Sequence, residues 1–241
     1  RTVQTQEDAE LIMKKLTVCM SRKEMLAGFA YIAIQIFLLP ILLVQGNLIF
    51  GSPFSDVQLN FILFALNFIC VTVLFHRFLL ANLKIAISNL PSLLKHIGMG
   101  FLFYWIGNFV VGMIITTLQP DFFNVNDASL SELTSDNFFL MAIGTVALVP
   151  IVEETLYRGV VFSNLYRKSP IIGFSVSVVI FALLHVIGYI GLYKPLHLLL
   201  CFLQYIPAGA CLAWAYVSSD TIWAPILMHI IINQIGMFAM R

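Results

Sequence analysis

The chain has 241 residues, of which 60% are hydrophobic and only 10% are charged. Its mean hydropathy is +0.95. This apolar share lies well above that of soluble globular domains, so an ordinary cytosolic enzyme is excluded. The formal net charge of +1 leaves no broad basic surface that would neutralise phosphates. We therefore expect no nucleic-acid partner.

Seven apolar stretches are long enough to cross a bilayer, whose core of about 30 Å requires about 20 apolar residues per helix. They are continuous rather than alternating in polarity, so they indicate helices and not the strands of a barrel. The sequence therefore predicts an all-α polytopic membrane protein with about seven transmembrane helices. The stretches are 25–45, 59–82, 97–118, 137–163, 171–190, 196–217 and 222–240.

The basic residues between the stretches predict the orientation. With the N-terminus in the cytoplasm, ten Lys and Arg residues lie inside, and only Lys194 and Arg241 lie outside. The outer loops, 46–58 and 119–136, then contain acidic residues and no Lys or Arg. We expect a multi-pass protein of the cell membrane with a cytoplasmic N-terminus and, for seven spans, an outer C-terminus.

Three regions follow from this pattern: a cytoplasmic amphipathic tail at 1–24, a three-span region at 25–136 and a C-terminal membrane core at 137–241. The tail is too highly charged for a signal peptide. Its apolar residues recur at helical spacing, which predicts a helix lying either on an anionic leaflet or on the helix bundle. These apolar residues are Leu11, Ile12, Leu16, Cys19 and Met20.

Ionisable groups inside the apolar stretches are few, because each costs about 2.5–3.5 kcal/mol at the centre of a span. The fourth stretch contains VPIVEETLYRG at 149–159, the fifth contains FALLH at 181–185 and the seventh contains HIIIN at 229–233. These three segments are the candidate functional site. The four cysteines show no CxxC spacing and indicate small buried side chains rather than a disulfide or zinc site.

Helical geometry separates the two neighbouring glutamates. Glu154 and Arg158 are four residues apart and therefore pair on one helix face. Glu153 points about 100° away and has no cation of its own. Such a carboxylate is suited to act as a general base. Pro150 cannot donate to the carbonyl of Val146, so it loosens the helix one turn before Glu153.

The histidine segments supply complementary groups. His229 and Asn233 share a helix face, where an imidazole and a carboxamide can donate two hydrogen bonds to one oxyanion. Phe181 precedes His185 by one turn and is placed to hold its ring. Counted from the predicted ends, Glu153 and His229 lie in the cytoplasmic half of the bilayer, with His185 and Asn233 nearer its middle. We therefore expect these four residues to line one cavity.

The three segments match the motifs EExxxR, FxxxH and HxxxN, in the order found in the CPBP family, also called Abi, of CAAX proteases and bacteriocin-processing enzymes. The resemblance covers roughly 137–241 and includes the Rce1-type endopeptidases. It implies an intramembrane endopeptidase in which Glu153 and His185 activate a water. It also implies an oxyanion site at His229 and Asn233, with Glu154 and Arg158 supporting the first motif.

The resemblance implies a membrane-associated peptide substrate, either a prenylated CAAX-type chain or a bacteriocin or pheromone leader. The family has also been described as metalloproteases, and Glu153, His185 and His229 can supply a three-ligand zinc site. No HExxH motif is present, and a carboxylate alone can serve as the base. We favour a mechanism without a metal or other cofactor.

Three other interpretations stay open at this stage. The family has been linked to bacteriocin self-immunity, so the chain can instead act by binding a peptide or a membrane-protein partner. Intramembrane Glu and His chains are also typical of transporters and proton relays, although the motif order argues against that function. Finally, the polar residues can form a buried ion network or interhelical hydrogen bonds with a purely structural role.

Overall fold

A computed structural model describes residues 16–239, which contain helices and no β-strand. The all-α membrane fold predicted from the sequence is confirmed. The helices of these residues are, in chain order, α1 (Arg22–Ile49), α2 (Asp56–Leu74), α3 (His76–Ser88), α4 (Leu90–Leu118), α5 (Val125–Asp136), α6 (Phe138–Tyr166), α7 (Pro170–Leu184), α8 (Pro195–Ser219) and α9 (Trp223–Ala239).

Polar side chains mark where several of the helices begin. Ser21 and Glu24 form a capping box at the start of α1, and each accepts a backbone N–H from the other. Ser55 and Gln58 do the same for α2, and the Asn137 side chain accepts the Leu140 N–H at the start of α6. These caps satisfy donors that have no partner in the first helical turn, so they fix the boundaries between spans and loops.

Five helices, α1, α2, α4, α6 and α8, are long and apolar enough to cross a membrane, and α7 and α9 are shorter apolar helices. Two helices end earlier than the apolar stretches predicted from the sequence. The second ends at Leu74, because Phe75 leaves helical geometry and buries its ring in the core. The fifth ends at Leu184, and the following turn contains Gly191 at a φ of +88°, a conformation that favours glycine.

The segment 119–136 is not the simple polar loop that its acidic residues predict. It contains α5, which begins at the Asn124 cap and buries Val125 and Thr134. Thr134 also contacts the sulfur of Met237 in α9. Because one side of α5 is packed on the bundle, its residues can contribute to a site inside the protein.

Burial identifies α6 and α8 as the central helices. About half of the most apolar window is buried in each, 44% in α6 and 50% in α8, compared with 6% in α4. The exposed apolar surface of α1, α2 and α4 is suited to contact lipid. The core around α6 includes Leu156, Val160 and Tyr216, none of which is exposed. Glu153 therefore lies on one of the two most enclosed long helices.

The N-terminal tail departs from the predicted helix where it is described. Residues 16–21 are not helical. Both the backbone N–H and the hydroxyl of Thr17 donate to the carboxylate of Asp220, which ties this segment to the end of α8. Leu16 and Met20 are buried against the bundle. The rest of the predicted amphipathic helix, including Leu11 and Ile12, lies outside the described residues.

Candidate active site

One cavity of about 700 Å³ is lined by Glu153, His185, His229 and Asn233 together. The volume lies within the range of about 300–1,000 Å³ that is usual for ligand-binding cavities. Three helices contribute these residues: α6 supplies Glu153, α9 supplies His229 and Asn233, and His185 follows the last residue of α7. The structure thus brings the four sequence-predicted residues to one surface.

The backbone of α6 is widened just before Glu153. From Ile143 to Leu148 the hydrogen bonds reach five residues along the chain instead of four, and the Val149 N–H donates to the Gly144 carbonyl. The next donor in this series would be Pro150, which has no N–H. The carbonyl left without a backbone donor is therefore that of Thr145, and not that of Val146 as the sequence predicts. Asn233 Nδ2 donates to it at 2.9 Å.

A second widened segment, Glu154–Phe162, carries the buried ion pair. Arg158 Nη1 lies 3.0 Å from Glu154 Oε1, and neither residue is exposed. Arg158 Nη2 donates to the Gly209 carbonyl of α8 at 3.3 Å. The predicted pairing of Glu154 with Arg158 is confirmed, and the pair lies behind the cavity wall rather than on it.

Phe181 connects this ion pair to both histidines. The Arg158 guanidinium lies 4.4 Å from the centre of the Phe181 ring, a distance at which cation–π attraction acts. The same ring lies 4.7 Å from the ring of His185 and 5.7 Å from that of His229. The contact with His185 agrees with the expectation from the FxxxH spacing, whereas the contacts with Arg158 and His229 were not expected.

Glu153 differs from Glu154 in having no ionic or hydrogen-bonded partner. Its side chain forms no hydrogen bond within residues 16–239, and Oε2 is buried. It is partly exposed to the cavity. A buried carboxylate oxygen without a partner is costly. Glu153 is therefore able to accept a proton or a hydrogen bond from a molecule in the cavity.

The hydrogen bond of His185 determines its protonated nitrogen. Nδ1 lies 2.8 Å from the Phe181 carbonyl oxygen, and a carbonyl can only accept, so Nδ1 carries the proton. In the neutral ring Nε2 is then an acceptor. The ring also stacks on Tyr205, with centroids 4.1 Å apart and planes 25° apart. His185 therefore presents a fixed acceptor nitrogen.

His229 is oriented by Glu154. Its Nδ1 lies 2.9 Å from Glu154 Oε1, the same oxygen that accepts from Arg158. A carboxylate oxygen only accepts, so Nδ1 of His229 carries a proton, and Nε2 is a donor only in the doubly protonated ring. Asn233 gives one of its two amide hydrogens to Thr145 and retains the other. Asn233 thus offers one donor to the cavity, and His229 offers a second in its imidazolium form.

Several cavity residues escaped the sequence interpretation. Asp127 of α5 accepts a hydrogen bond from the Tyr205 hydroxyl at 3.1 Å, and that tyrosine stacks on His185. Burial raises the pKa of Asp127, which lies outside the membrane-spanning helices, while the hydrogen bond from Tyr205 opposes the rise. Gln35 of α1 donates to the Tyr157 hydroxyl at 3.1 Å. These contacts join residues 78 or more positions apart, so no local spacing signals them.

The hydrogen bonds of the two histidines leave the same ring nitrogen of each without a described partner. Nδ1 of His185 and Nδ1 of His229 are bonded to Phe181 and Glu154, so Nε2 is the nitrogen of each ring that could bind a metal. In the part of the chain that the structure describes, no three His, Cys, Asp or Glu side chains come together in a group that could hold a metal ion. The proposed ligands Glu153, His185 and His229 line one cavity without forming such a group.

Residues 135–235 match the family model of the type II CAAX prenyl endopeptidase Rce1-like proteins. This segment is similar to that family. The match contains all three motifs and extends from just before α6 into α9. The searches of curated proteins and of solved structures found no match. The Rce1-like family is a protease family, which supports a peptidase activity.

Proposed function

We propose that this protein is a metal-independent intramembrane endopeptidase that hydrolyses a membrane-associated peptide. The observation that carries the proposal is the division of the cavity residues into acceptors and donors. Glu153 and Nε2 of His185 are available as acceptors, whereas the second amide hydrogen of Asn233 and Nε2–H of a protonated His229 are available as donors. Peptide hydrolysis requires both functions, one to activate water and one to stabilise an oxyanion.

In the first step, a water molecule donates hydrogen bonds to Glu153 and to Nε2 of His185. As its oxygen attacks the scissile carbonyl carbon, Glu153 takes one proton. The carbonyl π electrons move to oxygen, and the resulting oxyanion accepts hydrogen bonds from His229 Nε2–H and the remaining Asn233 amide hydrogen. Donors that are held in place before the reaction stabilise this charge without reorganising.

In the second step, the tetrahedral intermediate breaks its C–N bond. Glu153 returns its proton to the leaving nitrogen, so the products are one new carboxyl end and one new amino end. Glu154 and Arg158 do not touch the substrate in this mechanism. Their role is to hold His229 and, through the Phe181 ring, His185.

The Rce1-like match supports a CAAX-type peptide as the first substrate to test. The apolar outer surfaces of α1, α2 and α4 support a location within the cell membrane, and the distribution of basic residues supports a cytoplasmic N-terminus. A substrate that is itself associated with the membrane can then reach the cavity from the bilayer.

The test is mass spectrometry of farnesylated CAAX peptides and unmodified leader peptides after incubation with purified protein in lipid nanodiscs. We expect cleavage by the wild type with or without chelator. Glu153→Gln should lower kcat by about 10²–10⁴-fold, the usual contribution of a general base. The matched control is Glu132→Gln, since Glu132 is an exposed carboxylate of α5 outside the cavity.

Full activity of Glu153→Gln would contradict the proposal. Loss of wild-type activity on chelation, with recovery on adding zinc, would instead favour the metal-dependent mechanism. Retention of a peptide-immunity phenotype by Glu153→Gln would point to a binding function. Proton flux in liposomes containing the protein would point to a relay.

A further inference from the structure

Among the described residues, the permanent charges that line the cavity are carboxylates, and the imidazolium form of His229 used in the proposed mechanism is paired with Glu154. Glu153 and Asp127 both contribute carboxylates, and no Lys or Arg lines the cavity among the described residues. Arg158, the cation of the EExxxR motif, does not line the cavity. It donates hydrogen bonds to Glu154 and to the Gly209 carbonyl. A ligand that enters this cavity therefore meets two carboxylates without a fixed cation beside them.

Among the described residues, the groups that hydrogen-bond to the Asp127 carboxylate are neutral. Its Oδ1 accepts from the Tyr205 hydroxyl, which also lies 3.1 Å from the Asn124 side-chain oxygen. The ion pairs found between residues 16 and 239 involve Glu154 and not Asp127. The His185 ring is within electrostatic range of Asp127, but its hydrogen bond to Phe181 is satisfied by the neutral form.

The surroundings of Asp127 add no positive charge. The segment 119–136 contains Asp121, Asp127, Glu132 and Asp136 and no Lys or Arg. The neighbouring cavity residues Asn126 and Gln204 are neutral. A partly buried carboxylate without a cation is stabilised strongly when a cation is brought to it, because the low local dielectric strengthens the attraction.

We propose that Asp127 forms a subsite that selects a lysine or arginine side chain of the peptide substrate. The inference rests on the proposed function, since it assigns the substrate of the same cavity. Glu153 lies on the same cavity but must remain available to accept a proton from water, so Asp127 is the carboxylate that is free for recognition. A glutamate or a free C-terminal carboxylate at the same position would be repelled.

Asp127 has one other evident role, which is to hold Tyr205 and through it the stacked ring of His185. The two roles predict different results. A purely positional role would lower turnover of every peptide by the same factor, whereas a recognition role would change the ratio between peptides that differ only in charge. The experiment therefore compares the binding of peptides that differ only in charge, as a ratio of their affinities in each variant.

The probe is a fluorescently labelled acetyl-Leu-Leu-Lys-Leu-Leu-amide, together with versions that contain norleucine or glutamate in place of lysine. Binding is measured by fluorescence anisotropy to purified Glu153→Gln protein in neutral detergent, so that cleavage does not interfere. We expect the lysine peptide to bind at least tenfold more tightly than the norleucine peptide. The glutamate peptide should bind more weakly than either.

Adding Asp127→Asn should remove the preference for lysine, and adding Asp127→Lys should reverse it in favour of glutamate. The matched control is Asp136→Asn, which changes an exposed carboxylate at the end of the same helix. Partitioning of the peptides into detergent is common to all variants and cancels in the comparison between them.

An unchanged ratio of lysine to norleucine binding in Asp127→Asn would overturn the subsite, even if the protein cleaves peptides. Conversely, an altered ratio would establish the subsite even if no hydrolysis is found. The binding measurement therefore tests the subsite, and the cleavage measurement tests the proposed function independently of it.

Discussion

Glu153 and Glu154 are neighbours in α6, but one faces the cavity and the other is buried in an ion pair. Glu154 is fully buried, and one of its oxygens accepts from both Arg158 and His229. Glu153 faces a cavity of about 700 Å³ and has no hydrogen-bonded partner within the described residues. Adjacent residues of the same type thus have different roles, because one face of the helix is packed against α8 and α9 and the other is left open.

This difference indicates how a membrane protein can keep a reactive carboxylate. A charge inside the bundle is tolerated when it is paired and hydrogen-bonded. Glu154 meets that condition through Oε1, whereas its Oε2 has no hydrogen-bond partner among the described residues. The pair fixes the helices and the rings of Phe181 and His229. Glu153 can then remain unpaired on a rigid wall. The predictions below separate the supporting face from the reactive face.

The largest effect on stability is expected on the supporting face. Arg158→Ala leaves Glu154 buried without its cation, so the free energy of unfolding should fall by about 3–5 kcal/mol. Denaturation in mixed micelles with increasing SDS measures this change. Lys168→Ala, at an exposed position, should stay within about 0.5 kcal/mol of the wild type. An equal loss in both variants would show that the pair has no special role.

On the reactive face, Asn233→Ala should lower kcat by about 10²–10³-fold, as the loss of one oxyanion donor does elsewhere. The change also frees the Thr145 carbonyl, so the unfolding free energy must be measured beside peptide cleavage. His76→Ala is a control, because His76 is exposed and lies outside the cavity. A change in KM without a change in kcat would argue against an oxyanion role.

A steric prediction concerns the packing of α1 on α6. A Cβ at Gly28 would lie 2.5 Å from Cγ2 of the buried Val160. Gly28→Ala should therefore cost about 1–3 kcal/mol of stability through overpacking. Gly46→Ala, where a Cβ meets no atom within 4 Å, should be neutral or slightly stabilising. Equal stability of the two variants would show that α1 can move away from α6 at little cost.

The smallest expected effect tests Tyr205. Tyr205→Leu removes the ring that stacks on His185, and an aromatic contact of this kind is worth about 0.5–1.5 kcal/mol. We expect kcat to fall by about 2–10-fold with little change in KM. Tyr205→Phe keeps the stack and should recover most of the activity. Identical kcat values for Leu and Phe would contradict a positioning role for the ring.

The sequence predicted those parts of the site that depend on spacing within one helix. The four-residue separations correctly paired Glu154 with Arg158 and placed Phe181 beside His185. The two pairings follow from helical geometry alone, since residues four positions apart share a face whether the turn is regular or slightly widened. Glu153, His185, His229 and Asn233 also reached the common cavity that the sequence predicted.

Contacts between distant helices were beyond such a prediction. The polar character of 119–136 suggested a solvated loop, and nothing in its spacing shows that Asp127 meets Tyr205, 78 residues away. The widened turn of α6 changed the carbonyl that Pro150 leaves without a donor from that of Val146 to that of Thr145. Both features depend on tertiary packing. A hydrophobic pattern predicts which residues are buried but not which residues contact each other.

The bond from Asn233 to Thr145 has a consequence for how the protein is assembled. The two residues lie 88 positions apart, so α6 is synthesised well before α9. Until α9 joins the bundle, the Thr145 carbonyl lacks its native partner, and an unsatisfied backbone group in hydrocarbon costs several kcal/mol. A helix made later thus completes the backbone of an earlier one. Insertion of α6 should therefore depend on water or another temporary partner near Pro150, and a nascent chain lacking α9 should be a preferred substrate for membrane quality control.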